Sequence, residues 1–123
     1  MRRSIAVLLA AVALAGSACS SNTSPAPQGS SCPDLSSGSV FTLTLKDFRF
    51  HPDCLVVRSE QSIKIVNQDG TLHNFTITGT NVDVDIQAGQ KFSGGSAGVA
   101  PGTYDFFCQF HAAQGMKGTI TVQ

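Results

Sequence analysis

Hydrophobic and polar residues alternate in short runs along most of the chain, with the period of two that marks a half-buried β-strand. In Val40-Phe-Thr-Leu-Thr-Leu-Lys46, Phe41, Leu43 and Leu45 fall on one face and Thr42 and Thr44 on the other. Residues 55–58 and 62–67 follow as strands, separated by a polar turn at Ser59-Glu-Gln61. Residues 74–78 alternate again, Gly79-Thr-Asn81 turns the chain, and residues 82–86 keep the same period. Beyond a turn at residues 87–90, strands are predicted over 91–93, 103–107 and 117–123, with loop signals at 94–98 and 100–102. No window carries apolar residues at helical spacing over several turns. About eight short strands bounded by Gly, Pro, Asn and Asp predict an all-β Greek-key β-sandwich.

The alternation is missing from the N-terminus. Arg2 and Arg3 precede an apolar run from Ile5 to Gly16, too short to cross a bilayer comfortably. Residues 1–18 therefore read as an export signal peptide. Leu14-Ala-Gly-Ser-Ala-Cys19 resembles a bacterial lipoprotein cleavage site, which makes Cys19 the lipidated N-terminus of the exported chain. Gly16 stands where a large aliphatic residue is usual, and an ordinary cut near Ala15 or Ala18 is the rival reading. Residues 20–31 are rich in Ser, Pro, Asn and Gln, with no aliphatic side chain larger than Ala. Such a segment cannot bury a core, so residues 19–31 read as a flexible tether and 32–123 as the folded domain. The expected location is the cell envelope, periplasmic or lipid-anchored on the outer face of the membrane.

Composition narrows the partners. The chain is 123 residues long, 41% hydrophobic and only 13% charged, enough for one domain. Without residues 1–18, six Lys and Arg remain against eight Asp and Glu, a net charge of about −2. No basic patch suggests nucleic acid, and the balance is too mild to steer a particular partner.

The chemistry gathers in one stretch near the C-terminus. Residues 102–107 lead into Cys108, His111 follows three positions later, and Met116 five after that. On a strand, Tyr104, Phe106 and Cys108 share a face, which points the thiol inward beside two aromatic rings. Thiolate, imidazole and thioether form a soft ligand set, and soft sulfur selects copper; two His, one Cys and a weak axial Met describe a blue-copper electron-transfer site. The second imidazole is expected from His73, after the Asp69-Gly70 turn signal and at the start of a strand. Asn74 beside it is placed to hydrogen-bond across to the cysteine-bearing loop. Structural zinc sites use Cys and His, and methionine suits zinc poorly. His51 lies in a turn next to Pro52 and reads as an exposed side chain.

Cysteine usage fits an exported protein, since disulfides persist outside the cytoplasm. If Cys19 carries lipid and Cys108 carries metal, Cys32 and Cys54 remain as a pair. Their bridge would close a loop worth ~3 kcal/mol. The competing reading puts Cys108 in a disulfide and removes the metal site.

The motif Pro101-Gly-Thr-Tyr-Asp-Phe-Phe-Cys108-x2-His111-x4-Met116-x-Gly118-x-Ile120-x-Val122 closely resembles the C-terminal half of plastocyanins and related cupredoxins. Upstream, Phe48-x-Phe50-x-Pro52, Leu55-x-Val57 and Asn67-x-Asp69 ahead of His73-Asn74 are similar to the same family. The resemblance covers about residues 40–123. It implies a copper-binding sandwich with His73, Cys108, His111 and Met116 as ligands and Asn74 as their supporting asparagine. One departure is Gln109, at a position where plastocyanins tend to carry a small residue.

The function expected from residues and resemblance together is that of an exported type 1 copper protein, a one-electron carrier rather than an enzyme. It would serve redox partner proteins as a monomer held to the membrane by its N-terminal lipid. Ala112 and Ala113 beside His111 offer a small apolar docking patch. The alternative is a protein that binds, delivers or detoxifies copper without carrying electrons. A copper oxidase or reductase would need further histidine clusters, and only His51 is spare.

Overall fold

A computed structural model describes residues 31–95 and 98–123. The expected signal peptide (1–18), Cys19 with its lipidation, and all but the last residue of the tether (19–31) lie outside the described residues.

Strand patterning builds two mixed sheets. Among the described residues there are nine strands: β1 (Val40–Lys46), β2 (Arg49–His51), β3 (Cys54–Val57), β4 (Ser62–Asn67), β5 (His73–Ile77), β6 (Asp83–Ile86), β7 (Lys91–Gly94), β8 (Gly102–Phe107) and β9 (Lys117–Val122). One sheet runs β2-β1-β4-β7 and the other β3-β9-β8-β5-β6. The predicted strands are all present with their ends shifted by a residue or so. The additional one, β2, is too short to show a period and exists because Phe50 pairs with Leu45 across a tight reversal. That reversal carries Asp47 and Phe48 at φ 54° and 56°.

The alternation read from the sequence sets which side chains enter the core. Phe41, Leu43 and Leu45 of β1 lie in parallel register with Ile63, Ile65 and Asn67 of β4, and all six are buried. From the other sheet come Leu55, Phe75, Phe106 and Ile120, with Phe106 edge-on to Phe50 at 4.9 Å. Burying one such side chain fully contributes about 1.5–3 kcal/mol, which makes the two inward faces the main source of stability.

The domain's start is pinned as well. Cys32 and Cys54 form a disulfide with Cα atoms 5.1 Å apart. Leu35 N–H donates to Val56 O at 2.8 Å and Val56 N–H to Pro33 O at 2.9 Å. Gln61, in a stretch that reads as a polar turn, is in fact buried: its amide donates to Leu35 O and Gly38 O, both at 2.7 Å.

Asn67, at the end of β4, fastens the loops beneath the C-terminal cysteine stretch. Its amide nitrogen donates to Thr71 O at 2.8 Å, Ile86 O at 2.9 Å and Gln87 O at 3.1 Å, and its oxygen accepts the Asp69 N–H at 3.0 Å. Asn67→Ala strips these partners from backbone groups around a residue only 1% exposed. The expected cost is about 2 kcal/mol, read as a lower urea midpoint at unchanged slope.

Candidate metal centre

Sequence-distant side chains meet at one end of the sandwich. β5 begins with His73, β8 runs into Cys108, and the following loop returns His111 and Met116 before β9. His73, Cys108 and Met116 are fully buried, while His111 is half-buried. Donor atoms of His73, Cys108 and His111 all lie within 4.8 Å of one another. Cys108 Sγ is 3.4 Å from His111 Nδ1 and 3.9 Å from His73 Nδ1, and the two Nδ1 atoms are 3.1 Å apart. Both imidazoles thus turn the same nitrogen toward the sulfur.

The loop is shaped by its own backbone. His111 N–H donates to Cys108 O at 3.1 Å, Met116 N–H to His111 O at 3.2 Å, and Cys108 N–H to Met116 O at 3.0 Å. A single 3-10 turn, Ala112–Gln114, ends at Gly115 with φ 88°, a left-handed position suited to glycine. Arg49 of β2 reaches over to donate to Gly115 O at 3.1 Å. Three residues linked by main-chain bonds therefore present their side chains from a fixed frame.

The cysteine is free, which excludes the competing disulfide. Its sulfur accepts the Asn74 N–H at 3.3 Å, and Asn74 Oδ1 accepts the Gln109 N–H at 3.4 Å. Asn74 is itself oriented by carboxylates, its Nδ2 donating to Asp83 at 2.7 Å and Asp85 at 2.9 Å. The asparagine joins the two donor-bearing segments. Gln109 contributes its backbone there, and its side chain reaches only toward Asp85 at 3.5 Å.

Sequence reasoning missed two neighbours. Asp69, read as part of a turn signal and of the family-like motif but given no role, accepts a hydrogen bond from His73 Nε2 at 2.8 Å. With the Nε2 proton directed at a carboxylate, His73 Nδ1 keeps its lone pair for the cluster. Phe48 stands edge-on to His111 at 4.9 Å and to His73 at 5.5 Å, although 45% exposed. Both stand in the family-like upstream motif, which does not say what either side chain touches.

The surroundings shift two titratable groups of the site, His111 and Asp69. Partial burial, and then the nearby His73, hold His111 below the usual histidine range against the opposing pull of Asp69. Burial alone would raise Asp69, but the Phe48 N–H, the His73 imidazole and the Asp47 N–H together bring it below the usual carboxylate range. His51 is exposed, with Nε2 3.3 Å from Lys46 O, and takes no part in the cluster.

The donor set is chemically selective. Two imidazole nitrogens and a cysteine sulfur converge in a buried pocket beside a buried thioether-bearing residue. That combination suits a soft or borderline metal, and copper before zinc where methionine takes part. Phe110 (46% exposed), Phe48 and Ala113 surround His111 with exposed apolar surface. Among the described residues no helix is long and apolar enough to cross a membrane.

Comparison with known proteins points the same way. The family model described as a cupredoxin-like domain matches residues 5–122. Plastocyanin of Ulva prolifera is 34% identical over 84 residues, which cover 60% of this chain and 86% of that protein. Chloroplastic plastocyanin of Physcomitrium patens is 30% identical over 83 residues, 59% of this chain, and the match spans 49% of the moss protein's length. Among solved structures, a Cu(I) amicyanin mutant superposes with a TM-score of 0.56 at 18% identity, covering 69% of this chain and 83% of that one, a likeness of fold.

Proposed function

The chain belongs to the cupredoxin-like domain family, and on that premise we propose that it is an exported one-electron carrier with a single type 1 copper ion. The ligands in this reading are His73, Cys108, His111 and Met116. The observation that carries it is the convergence of two Nδ1 atoms and one Sγ within 4.8 Å. Copper supplies there a one-electron change between Cu(II) and Cu(I).

The chain's own residues do the rest. Cys108 offers a sulfur braced by the Asn74 N–H, and the two imidazoles are fixed by their loop and by Asp69. A frame tied by main-chain hydrogen bonds keeps the donors in place in either oxidation state, so little has to move as an electron passes. His111 is the donor nearest solvent and forms the route in and out. The apolar surface around it suits a small, quickly released redox partner interface. Residues 1–18 direct export, and a lipid on Cys19 with the tether of residues 19–31 holds the monomeric 32–123 domain at the cell envelope.

Cu(II) added to the purified chain should give an intense visible band that ascorbate bleaches and ferricyanide restores over repeated cycles. A copper complex that forms but does not cycle would replace the electron-carrier reading with copper storage or delivery.

A further inference from the structure

We propose that Asp69 is a positioning residue for the metal centre: its carboxylate fixes the His73 imidazole and, through it, biases the site toward the oxidised metal. The inference rests on the copper-site reading above and adds to it a residue that sets the reduction potential.

The carboxylate is held from three directions. Oδ2 accepts from His73 Nε2 at 2.8 Å and from the Phe48 N–H at 3.0 Å, while Oδ1 accepts the Asp47 N–H at 2.8 Å. Asp47 and Phe48 adopt left-handed backbone conformations in succession, unusual for non-glycine residues, and successive N–H groups in such turns form a cradle for an anion. Asp69's own backbone is fixed too, its N–H bound to Asn67 Oδ1 at 3.0 Å and its carbonyl to the Gly89 N–H at 3.2 Å. A side chain recruited only to close a turn would not need a charged contact with a fully buried histidine. His73 is 0% exposed and Asp69 13%, so solvent screens the pair poorly.

Two consequences follow from that contact. The Nε2 proton stays on the carboxylate side, which leaves the Nδ1 lone pair facing Cys108 and His111. A full negative charge one imidazole away from the metal also favours the state with the higher positive charge. Cu(II) is then stabilised over Cu(I), and the potential is lowered. When an electron from a donor protein converts Cu(II) to Cu(I), no proton leaves His73 and no bond to Asp69 breaks. The effect is therefore a standing electrostatic bias. The same carboxylate sets the Asp47–Phe48 turn and hence the ring that lies against both histidines.

Asp69→Asn in the full, copper-loaded chain keeps an oxygen for the His73 Nε2 proton and removes the charge. The expected result is a retained blue band with a higher reduction potential. At a fixed redox poise the Cu(I) to Cu(II) ratio should rise at least tenfold, about 59 mV for one electron. An intact band with an unchanged potential would overturn the inference and leave Asp69 as a loop anchor. The unsubstituted Cu(I) protein gives an independent readout by NMR. A slowly exchanging, low-field Nε2 proton on His73 supports the contact even if the variant does not fold, and its absence refutes it. If the unsubstituted chain gives no thiolate–copper band, the copper reading itself fails and the inference falls with it. That outcome is seen before any substitution is made.

Discussion

Cys108→Ser is expected to abolish the visible colour of the copper-loaded protein while leaving the domain folded. The colour of a thiolate–copper site arises from charge transfer between sulfur and metal, and Cys108 is the one free cysteine among the described residues. A serine hydroxyl keeps its proton near neutral pH, so the strongest anionic donor of the set is lost. The fold should survive, because the substitution is almost isosteric and Asn74 N–H, now 3.3 Å from Sγ, can donate to the new oxygen. With that partner present, the buried hydroxyl should cost only about 1 kcal/mol. Absorption during Cu(II) titration reads the first effect and thermal unfolding the second. His51→Ala is the matched control, since His51 is exposed and outside the cluster. Loss of colour in the control, or its persistence in Cys108→Ser, would contradict the ligand assignment.

Gly118→Ala is expected to be the most destabilising small substitution in the domain. Gly118 pairs with Phe106 across β8 and β9. A Cβ there would collide with the carbonyl oxygen of Asp53 and with the Phe106 ring, including its Cε2 at 2.8 Å. Neither neighbour can yield easily. The Asp53 carbonyl accepts the Thr119 N–H at 2.9 Å where β3 joins β9. Phe106 is 0% exposed and edge-packed on Phe50. Overpacking of this kind costs about 3 kcal/mol, and in a domain of this size should lower the melting temperature by on the order of 10–20 °C. Gly70→Ala, where an added Cβ meets nothing within 4 Å, should change stability by about 0.5 kcal/mol or less. Because Phe106 lies two residues before Cys108, Gly118→Ala should also disturb the visible band if the variant binds copper.

The family motif places a glycine at position 118 but does not say why. The reason is the Asp53 carbonyl just before β3 and a ring from β8 that converge on the same point, and neither is near it in sequence. Asp69 poses the same difficulty. Its pairing with Gly70 reads as a turn, whereas its carboxylate works on His73 and on two backbone N–H groups more than twenty residues upstream. Phe48 is similar: the residue is visible in a family-like motif, but only the left-handed reversal between β1 and β2 turns its ring toward the histidines. β2 was missed because three residues carry no measurable period.

What the sequence determined by itself was the class of structure and a set of neighbouring donor side chains. The two-residue alternation allows only strands with one buried face, which is why Phe41, Leu43 and Leu45 are in the core. The spacing of Cys108, His111 and Met116 puts three donors in one short loop whatever the rest of the chain does. Tertiary structure decided how the expected second imidazole, His73, is brought to the others and how it is held. His73 and Cys108 are joined by the antiparallel pairing of β5 with β8, and Asp69, Asn74 and Phe48 act on the cluster from other segments. Periodicity and spacing are properties of neighbouring residues. A charged contact, a glycine-wide gap or the tilt of a ring depends on which distant segments the fold brings within a few ångströms.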